Sequence, residues 1–340
     1  MTNLLTMSSA SLLMLTAALE ANAENIEISG SIEVDANFSS SYNNVDTSDI
    51  TLSTVQLGID GKINDHVTGH ISLLHEEDAT PLEVDEGTIT LDIGRGWSVT
   101  AGQMYLPFGS YESNMVSDPL TLSLGETRES AVMLGYEANG FYGSVYAFNG
   151  DTSKASTPVG EDKIEHSGAS IGYMVKTDTY SLNLGLDYIS SLGDSDGLSA
   201  SLPDANADGL PDALTSFVGG TALHAVYNRD ALSVILEYIS SDDFKLAELG
   251  FNGKGASPSA FNIEAGYGFD WGTAALGYQA TDEALALGLP ESRILVALSK
   301  EIYDDTALSF EYAVDSDYST TVGGTGKDAS STTIQLAVSF

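Results

Sequence analysis

The stretch IEISGSIEVDANF at residues 26–38 alternates apolar and polar side chains with a period of two. Its apolar positions run from Ile26 to Phe38, and its polar positions include the carboxylates of Glu33 and Asp35. Successive side chains of a β-strand point to opposite faces of the sheet, so this stretch predicts a strand with one apolar face and one wetted face.

The same alternation returns along the chain and predicts about 16 strands in total. Tight turns such as Asn64-Asp65 and Asp270-Trp271 alternate with longer connections, most of them rich in Asp, Ser and Gly. The longer connections lie near residues 43–49, 76–87, 107–130, 149–165, 190–219, 240–259, 281–292 and 315–330. We therefore predict an all-β fold, a transmembrane antiparallel up-and-down β-barrel with short periplasmic turns and long extracellular loops.

The two faces of the predicted strands also fit a membrane barrel. Apolar residues at alternate positions would contact outer-membrane lipid and lipopolysaccharide, whereas small polar residues would face a watery lumen. Aromatic residues near the strand ends would form two girdles, the one toward the loops comprising Tyr105, Tyr188, Tyr238 and Tyr312. The final Phe340 resembles the C-terminal signal that is read by the barrel-assembly machinery. The alternative is a secreted soluble β-sandwich or solenoid.

Residues 1–23 have the features of a signal peptide, which would leave residues 24–340 as the barrel. Ala10–Leu19 is apolar, and Ala21-Asn22-Ala23 is a small-residue cleavage pattern. The usual positive start is missing, since none of the first 61 residues is Lys or Arg, and a short N-terminal helix is the alternative. No later apolar run approaches the roughly 20 residues of a membrane helix, so we expect strands to cross the membrane.

The chain carries 12 Lys and Arg residues against 49 Asp and Glu residues, a formal net charge of -37. This charge argues against nucleic acid as a partner, because the phosphate backbone would be repelled. Strand parity assigns eight carboxylates to the pore lining, namely Glu33, Asp35, Asp60, Asp92, Asp187, Glu237, Glu264 and Glu311. Such a lumen favours cations. The alternative is that these carboxylates only solvate the wall or pair across strands.

The connection at residues 107–130 is too apolar at Leu120, Leu122 and Leu124 for an ordinary surface loop. We expect it to fold into the barrel and to narrow the pore. Its candidate constriction residues are Glu112, Asp118, Glu126, Arg128 and Glu129. The alternative is a loop that packs only against its neighbours outside the barrel.

A calcium-loop pattern, D-x-N-x-D-G-x-x-D, occurs in the connection at residues 190–219. Its oxygen ligands would be Asp204, Asn206, Asp208, the carbonyl of Leu210, and Asp212. Thr215 stands where such a loop carries a bidentate Glu, so a plain acidic loop is the alternative. Calcium is the one cofactor that the sequence suggests, and the predicted fold requires none.

No G-x-S-x-G or other nucleophile motif is present, so we predict that the chain is not an enzyme; a barrel hydrolase and an adhesin are the less favoured alternatives. The absence of cysteine excludes thiol nucleophiles and thiolate zinc sites.

The chain resembles the LbtU family of siderophore porins over nearly its full mature length. The resemblance is carried by TSDITLSTVQLGID at 47–60, HEEDATPLEVDEGTITL at 75–91, GQMYLPFGSYESNMVSDPLTLSLGETRESAVMLGY at 102–136, FYGSVYAFNGD at 141–151 and GYQATDEALALGLPESR at 277–293. It implies an outer-membrane barrel associated with the uptake of ferric siderophores, without a large N-terminal plug domain. A general cation-selective porin is the alternative, and a homotrimer would be typical of 16-stranded porins.

Overall fold

A computed structural model of the protein describes residues 25–77, 80–157, 163–204 and 211–340, so the predicted signal peptide lies outside the described residues. Sixteen antiparallel strands close into one barrel, which confirms the predicted fold class. The strands of its first half are β1 (Ile26–Ser40), β2 (Asp46–Asn64), β3 (Val67–Glu76), β4 (Thr80–Gly94), β5 (Trp97–Tyr105), β6 (Arg128–Ala138), β7 (Phe141–Phe148), β8 (His166–Lys176) and β9 (Tyr180–Ile189).

The remaining elements complete the barrel and its loops. They are β10 (Gly220–Arg229), β11 (Leu232–Ser241), the small loop hairpin β12 (Gly250–Phe251) and β13 (Lys254–Gly255), β14 (Ser259–Phe269), β15 (Gly272–Asp282), β16 (Ser292–Tyr303), β17 (Thr306–Ser316) and β18 (Asp328–Ser339). Two short helices, α1 (Leu120–Gly125) and α2 (Asp196–Ser199), lie in the connections. None of the helices in the described residues is long or apolar enough to cross a membrane.

The barrel closes where β1 pairs with β18. The backbones of Gly30 and Phe340 exchange two hydrogen bonds of 2.9 and 3.0 Å at this seam. Each remaining barrel strand pairs with the preceding and following barrel strands along the chain, so no strand edge is left unpaired. Closure of this kind is what a sheet needs in a bilayer, where no water can hydrogen-bond an open edge.

The outer surface of the barrel is apolar and the inner surface is polar. On β15, for example, Leu276 is 63% exposed whereas Gln279 is fully buried. Aromatic side chains contact one another beside the short turns, and these pairs include Trp97–Tyr136 at 4.7 Å, Phe141–Tyr173 at 4.5 Å and the stacked Phe269–Trp271 at 5.4 Å between ring centroids. An apolar band bounded by aromatic rings is the surface that a lipid bilayer requires.

Two local predictions are wrong where regular alternation is interrupted, by register shifts between β3 and β4 and by the unusual backbone of Gly102 in β5, which has a φ of +139°. The connection predicted at residues 76–87 is much shorter, since β4 already begins at Thr80. The register between β3 and β4 shifts twice in this region. Tyr105, predicted to join the outer girdle, instead donates its hydroxyl hydrogen bond to the buried carboxylate of Asp85 at 2.9 Å. A bulge adds one residue to one strand and so reverses the alternation of faces beyond it.

Gly102 shows how tightly β4 and β5 approach. Its φ is +139°, and a Cβ atom at this position would lie 2.0 Å from the carbonyl oxygen of Gly87. We therefore expect Gly102→Ala to lower the unfolding midpoint clearly in a urea titration of the refolded barrel, because both the backbone and the neighbouring strand must shift. Gly69→Ala is the matched control, since its nearest neighbour would be 3.8 Å away. Equal midpoints for the two variants would contradict this account.

One half of the outer end of the barrel is filled by an apolar core. This outer core consists of residues from several connections and the adjoining strand ends, among them Leu106, Phe108, Leu124, Phe148, Ile189, Leu192, Leu198, Leu214 and Phe244. The connections at 106–127, 190–219 and 242–258 therefore fold together over the β5–β14 side. Met115 of the connection at 106–127 forms a second buried cluster with Ala275, Leu295 and Ala313 of β15–β17. Within the described residues, β18 and β1–β4 contribute to neither cluster, so we infer that the passage for solutes lies beside these strands.

Candidate functional site

The connection between β5 and β6, residues 106–127, is called the constriction loop here after the role that the sequence predicts for it. It lies against the inner wall of the barrel, where it contacts β9, β11, β14, β15 and β17 through hydrogen bonds. Its single helix, α1, packs near β11, β14 and β15. The structure thus places inside the barrel most of the segment in which constriction residues were predicted.

Carboxylates of the wall hold the first part of the constriction loop. The backbone N–H of Gly109 donates to Asp187 Oδ2 at 3.0 Å. Glu237 Oε1 accepts from the backbone N–H groups of Ser110 at 2.5 Å and Tyr111 at 3.2 Å. The second oxygen of Glu237 accepts from the hydroxyl of Thr121 at 2.6 Å. One glutamate therefore joins the start of the loop to α1.

Two further glutamates hold the middle of the loop in the same way. Glu264 accepts from the hydroxyl of Ser113 at 2.9 Å and from the backbone N–H of Asn114 at 2.5 Å. Glu311 accepts from the backbone N–H of Val116 at 2.7 Å, and from the backbone and hydroxyl of Ser117 at 3.2 and 2.6 Å. Hydrogen bonds to charged acceptors are among the stronger ones, so this row of carboxylates fixes the path of the loop.

The eight predicted pore-lining carboxylates therefore separate into two groups. Asp187, Glu237, Glu264 and Glu311 are only 1–3% exposed, because the constriction loop covers them. The other four are more accessible. Glu33 and Asp35 lie half-buried on β1, Asp60 on β2 accepts from His70 at 2.8 Å, and Asp92 is exposed beside the turn at Gly94. Only this second group can meet a passing solute directly.

The passage beside β1–β4 is acidic on both of its sides. Glu33 interacts electrostatically with Asp35 and Glu76 on the wall and with Asp118 on the constriction loop. Glu126 of the loop interacts in the same way with Asp118, Glu76 and Asp196. Acidic side chains therefore lie on both sides of this passage, on the loop and on the wall that faces it.

The two arginines nearest to this passage are already paired. Arg128 is the first residue of β6 and contacts Glu83 at 2.8 Å and Asp85 at 2.9 Å. Arg293 contacts both carboxylate oxygens of Asp315, at 2.7 and 3.0 Å. Of the remaining predicted constriction residues, Glu112 is half-buried in the loop and Glu129 is buried on β6. Arg128 and Glu129 thus belong to the wall.

The charge of Glu126 should depend on pH near neutrality. Burial, together with the charges of Asp196 and Asp118, raises the pKa of Glu126 from 4.5 to about 8. The carboxyl is therefore mostly neutral at pH 6 and ionised at pH 9, so we expect cation preference to increase as the pH rises through this range. Reversal potentials at several pH values would measure it. Glu126→Gln should reduce the increase, and an unchanged pH profile in this variant would contradict the assignment.

The predicted calcium loop cannot be compared with the structure. Asn206, Asp208 and Leu210 lie outside the described residues, and only Asp204 and Asp212 lie within them. Among the residues that the structure describes, no group of three or more His, Asp or Glu side chains could hold a metal ion. Calcium binding at 204–212 stays a prediction.

Comparison with solved structures identifies the fold. The barrel superposes on the outer membrane channel DcaP of Acinetobacter baumannii with a TM-score of 0.64 and 16% identity, covering 93% of this chain and 97% of that one. An anion-selective porin from Comamonas acidovorans superposes with a TM-score of 0.62 and 12% identity. The trimer form of OmpT from Vibrio cholerae superposes with a TM-score of 0.57 and 13% identity. Both matches cover 93% of this chain and 99% of the other chain. The chain has the fold of outer-membrane channels, and its apolar outer band places it in the bacterial outer membrane.

Sequence comparison identifies the family. A UPF0422 protein of Legionella pneumophila (strain Philadelphia 1) is 30% identical over 364 residues, covering 94% of this chain and 67% of the relative. A UPF0422 protein of Coxiella burnetii is 29% identical over 316 residues, covering 88% and 66%. No family profile matches the chain. The protein belongs to the UPF0422 family.

Proposed function

We propose that the protein is a passive diffusion channel for small hydrophilic solutes and that it prefers cations. The observation that carries this proposal is the position of the constriction loop, which is fixed on one wall and leaves a passage with carboxylates on both sides. Carboxylates around a narrow water-filled passage attract cations and repel anions. In this proposal the barrel has no catalytic role.

Insertion of the purified protein into a planar lipid bilayer would test the channel function. We expect discrete, long-lived conductance steps, because a barrel with a fixed loop gives one stable pore. The matched control is the same preparation after boiling, which unfolds the barrel and should give no steps. A folded protein without conductance would contradict the proposal.

We propose ferric siderophores as a finer substrate class. The support is the sequence resemblance to siderophore porins described above; the names of the UPF0422 relatives make no statement about a substrate. The acidic passage favours complexes that are neutral or positively charged over anionic ones. Uptake of siderophore-bound iron under iron limitation should be slower in a deletion strain and restored by the intact gene. Unchanged uptake would remove the siderophore proposal while leaving the channel proposal intact.

A homotrimer is the proposed assembly in the membrane. Its support is that one structural neighbour is known in a trimer form. Cross-linking in native membranes would test it, since a trimeric band is expected before boiling and only monomer after boiling.

A further inference from the structure

A concave surface lies in the periplasmic half of the lumen. It is a cavity of about 1270 Å³ along the inner wall of β4–β10, and it reaches from the short turns to the underside of the constriction loop at Pro107 and Ser110. A volume of this size accommodates a small molecule. Of the four carboxylates that anchor the constriction loop, Asp187 alone lines this cavity.

The cavity is closed at its outer end. Along β9 the inward-facing side chains become steadily more buried toward the outside, from the half-buried Asn183 to Asp187 at 2% exposure and Ile189 at 0%. Phe148 on β7 is likewise 1% exposed, and both Phe148 and Ile189 belong to the outer core. Access is therefore from the periplasmic side.

Polar side chains converge at the deep end of the cavity. The hydroxyl of Tyr142 donates to Asn183 Oδ1 at 2.7 Å and lies 3.3 Å from His224 Nε2. His224 is 8% exposed, and its Nδ1 lies 3.8 Å from Asp187 Oδ2, which is too far for a hydrogen bond. Neither this Nδ1 nor Ser144 Oγ has a hydrogen-bond partner within the described part of the chain. Such atoms gain stability when a ligand supplies the missing partner.

Two rings lie flat on this wall because glycines stand opposite them. A Cβ atom on Gly172 would lie 2.0 Å from the ring of Tyr142, and one on Gly185 would lie 2.0 Å from the ring of His224. These glycines pair directly with the two aromatic residues across the neighbouring strands. Each ring therefore covers backbone on one side and can present its other face to a ligand.

The charges around the cavity are balanced, in contrast to those of the acidic passage. Asp92 and Glu137 line its periplasmic end together with Arg95 and Lys176. At the deep end, one oxygen of Asp187 already accepts from the constriction loop. The surface thus combines flat rings with mixed hydrogen-bond donors and acceptors and little net charge. We propose that this cavity binds a neutral polyhydroxylated solute, such as a short oligosaccharide, that enters from the periplasmic side.

Saturation-transfer NMR on the purified, detergent-solubilised barrel would test the proposal, with the neutral trisaccharide raffinose as the probe. We expect transfer to raffinose in the wild type, roughly tenfold weaker binding in Asn183→Leu, and strongly reduced transfer in Ser144→Trp, which places an indole ring among the polar groups at the deep end of the cavity. Gln335→Leu is the matched control, because Gln335 is a polar wall residue that bonds to Glu33 outside the cavity. A gel shift between unboiled and boiled samples would show that each variant is folded.

The measurement reports binding and not conduction, so its result is independent of the channel proposal. Transfer that is retained in the control and reduced in both cavity variants would support the site. Absence of transfer in the wild type, or equal transfer in all four proteins, would overturn it. Putrescine serves as a cationic comparison probe, and binding of putrescine without raffinose would overturn the assignment to neutral solutes.

Discussion

Glu237→Ala is expected to raise the single-channel conductance by roughly twofold and to make the open level noisy, because the constriction loop loses its central attachment. Three donors of the loop, the N–H groups of Ser110 and Tyr111 and the hydroxyl of Thr121, bond to this carboxylate. Each hydrogen bond to a charged group stabilises by about 1.5–3 kcal/mol, so the packed position of the loop should lose on the order of 3 kcal/mol or more.

Planar-bilayer recordings would measure this effect, with Asp60→Ala as the control. Asp60 is a wall carboxylate that bonds to His70, so its removal should leave the noise unchanged. The additional replacement of Glu264 and Glu311 by alanine should enlarge the effect, since these residues hold the next part of the loop. Wild-type noise and conductance in the triple variant would show that the outer core alone fixes the loop.

Asp118→Lys is expected to lower the K⁺/Cl⁻ permeability ratio by roughly fivefold or more at 0.1 M salt. A single charge a few Å from an ion contributes about 1 kcal/mol even in water, and this substitution replaces a negative charge with a positive one in the narrow passage. The difference should shrink at 1 M salt, where the screening length falls to about 3 Å. Reversal potentials in a salt gradient would provide the ratio.

Asp178→Lys changes the net charge equally but lies on an exposed periplasmic turn, so it should alter the ratio little. A wild-type channel that prefers Cl⁻ would contradict the assignment of the passage. The fold by itself cannot decide this sign, because one structural neighbour with a TM-score of 0.62 is described as an anion-selective porin. The sign of selectivity depends on which side chains line the narrow part.

The period-two pattern predicted the strands well because each strand has one face toward lipid and one toward the lumen. It failed where the alternation itself is interrupted, as at Tyr105, whose strand is distorted beside Gly102. The alternation of strand residues also could not predict that Glu237 accepts hydrogen bonds from the constriction loop. Its partner Ser110 is 127 residues away in the sequence. Alternation along a strand shows which face of the sheet a side chain lies on, but not which segment covers that side chain.

The burial of the constriction loop was predicted from its leucines and not from the period-two alternation that predicted the strands. Leu120 and Leu124 indicated burial, and both are at most 2% exposed. Their sequence could not show that acceptors for the loop backbone would come from five separate strands. The cavity along β4–β10 had no sequence signal either, since its polar residues alternate with lipid-facing ones as in every other strand.

The outer core also determines which surface segments can change independently. The connections at 190–219 and 242–258 share buried residues with the constriction loop, so an insertion in either would disturb the others. The turn at residues 41–45 is closed only by local bonds, Asn44 N–H to the Ser41 carbonyl at 2.8 Å and Ser41 N–H to the Val45 carbonyl at 3.0 Å. An epitope tag for detection on living cells therefore belongs at Asn43–Asn44, where an insertion leaves the outer core intact.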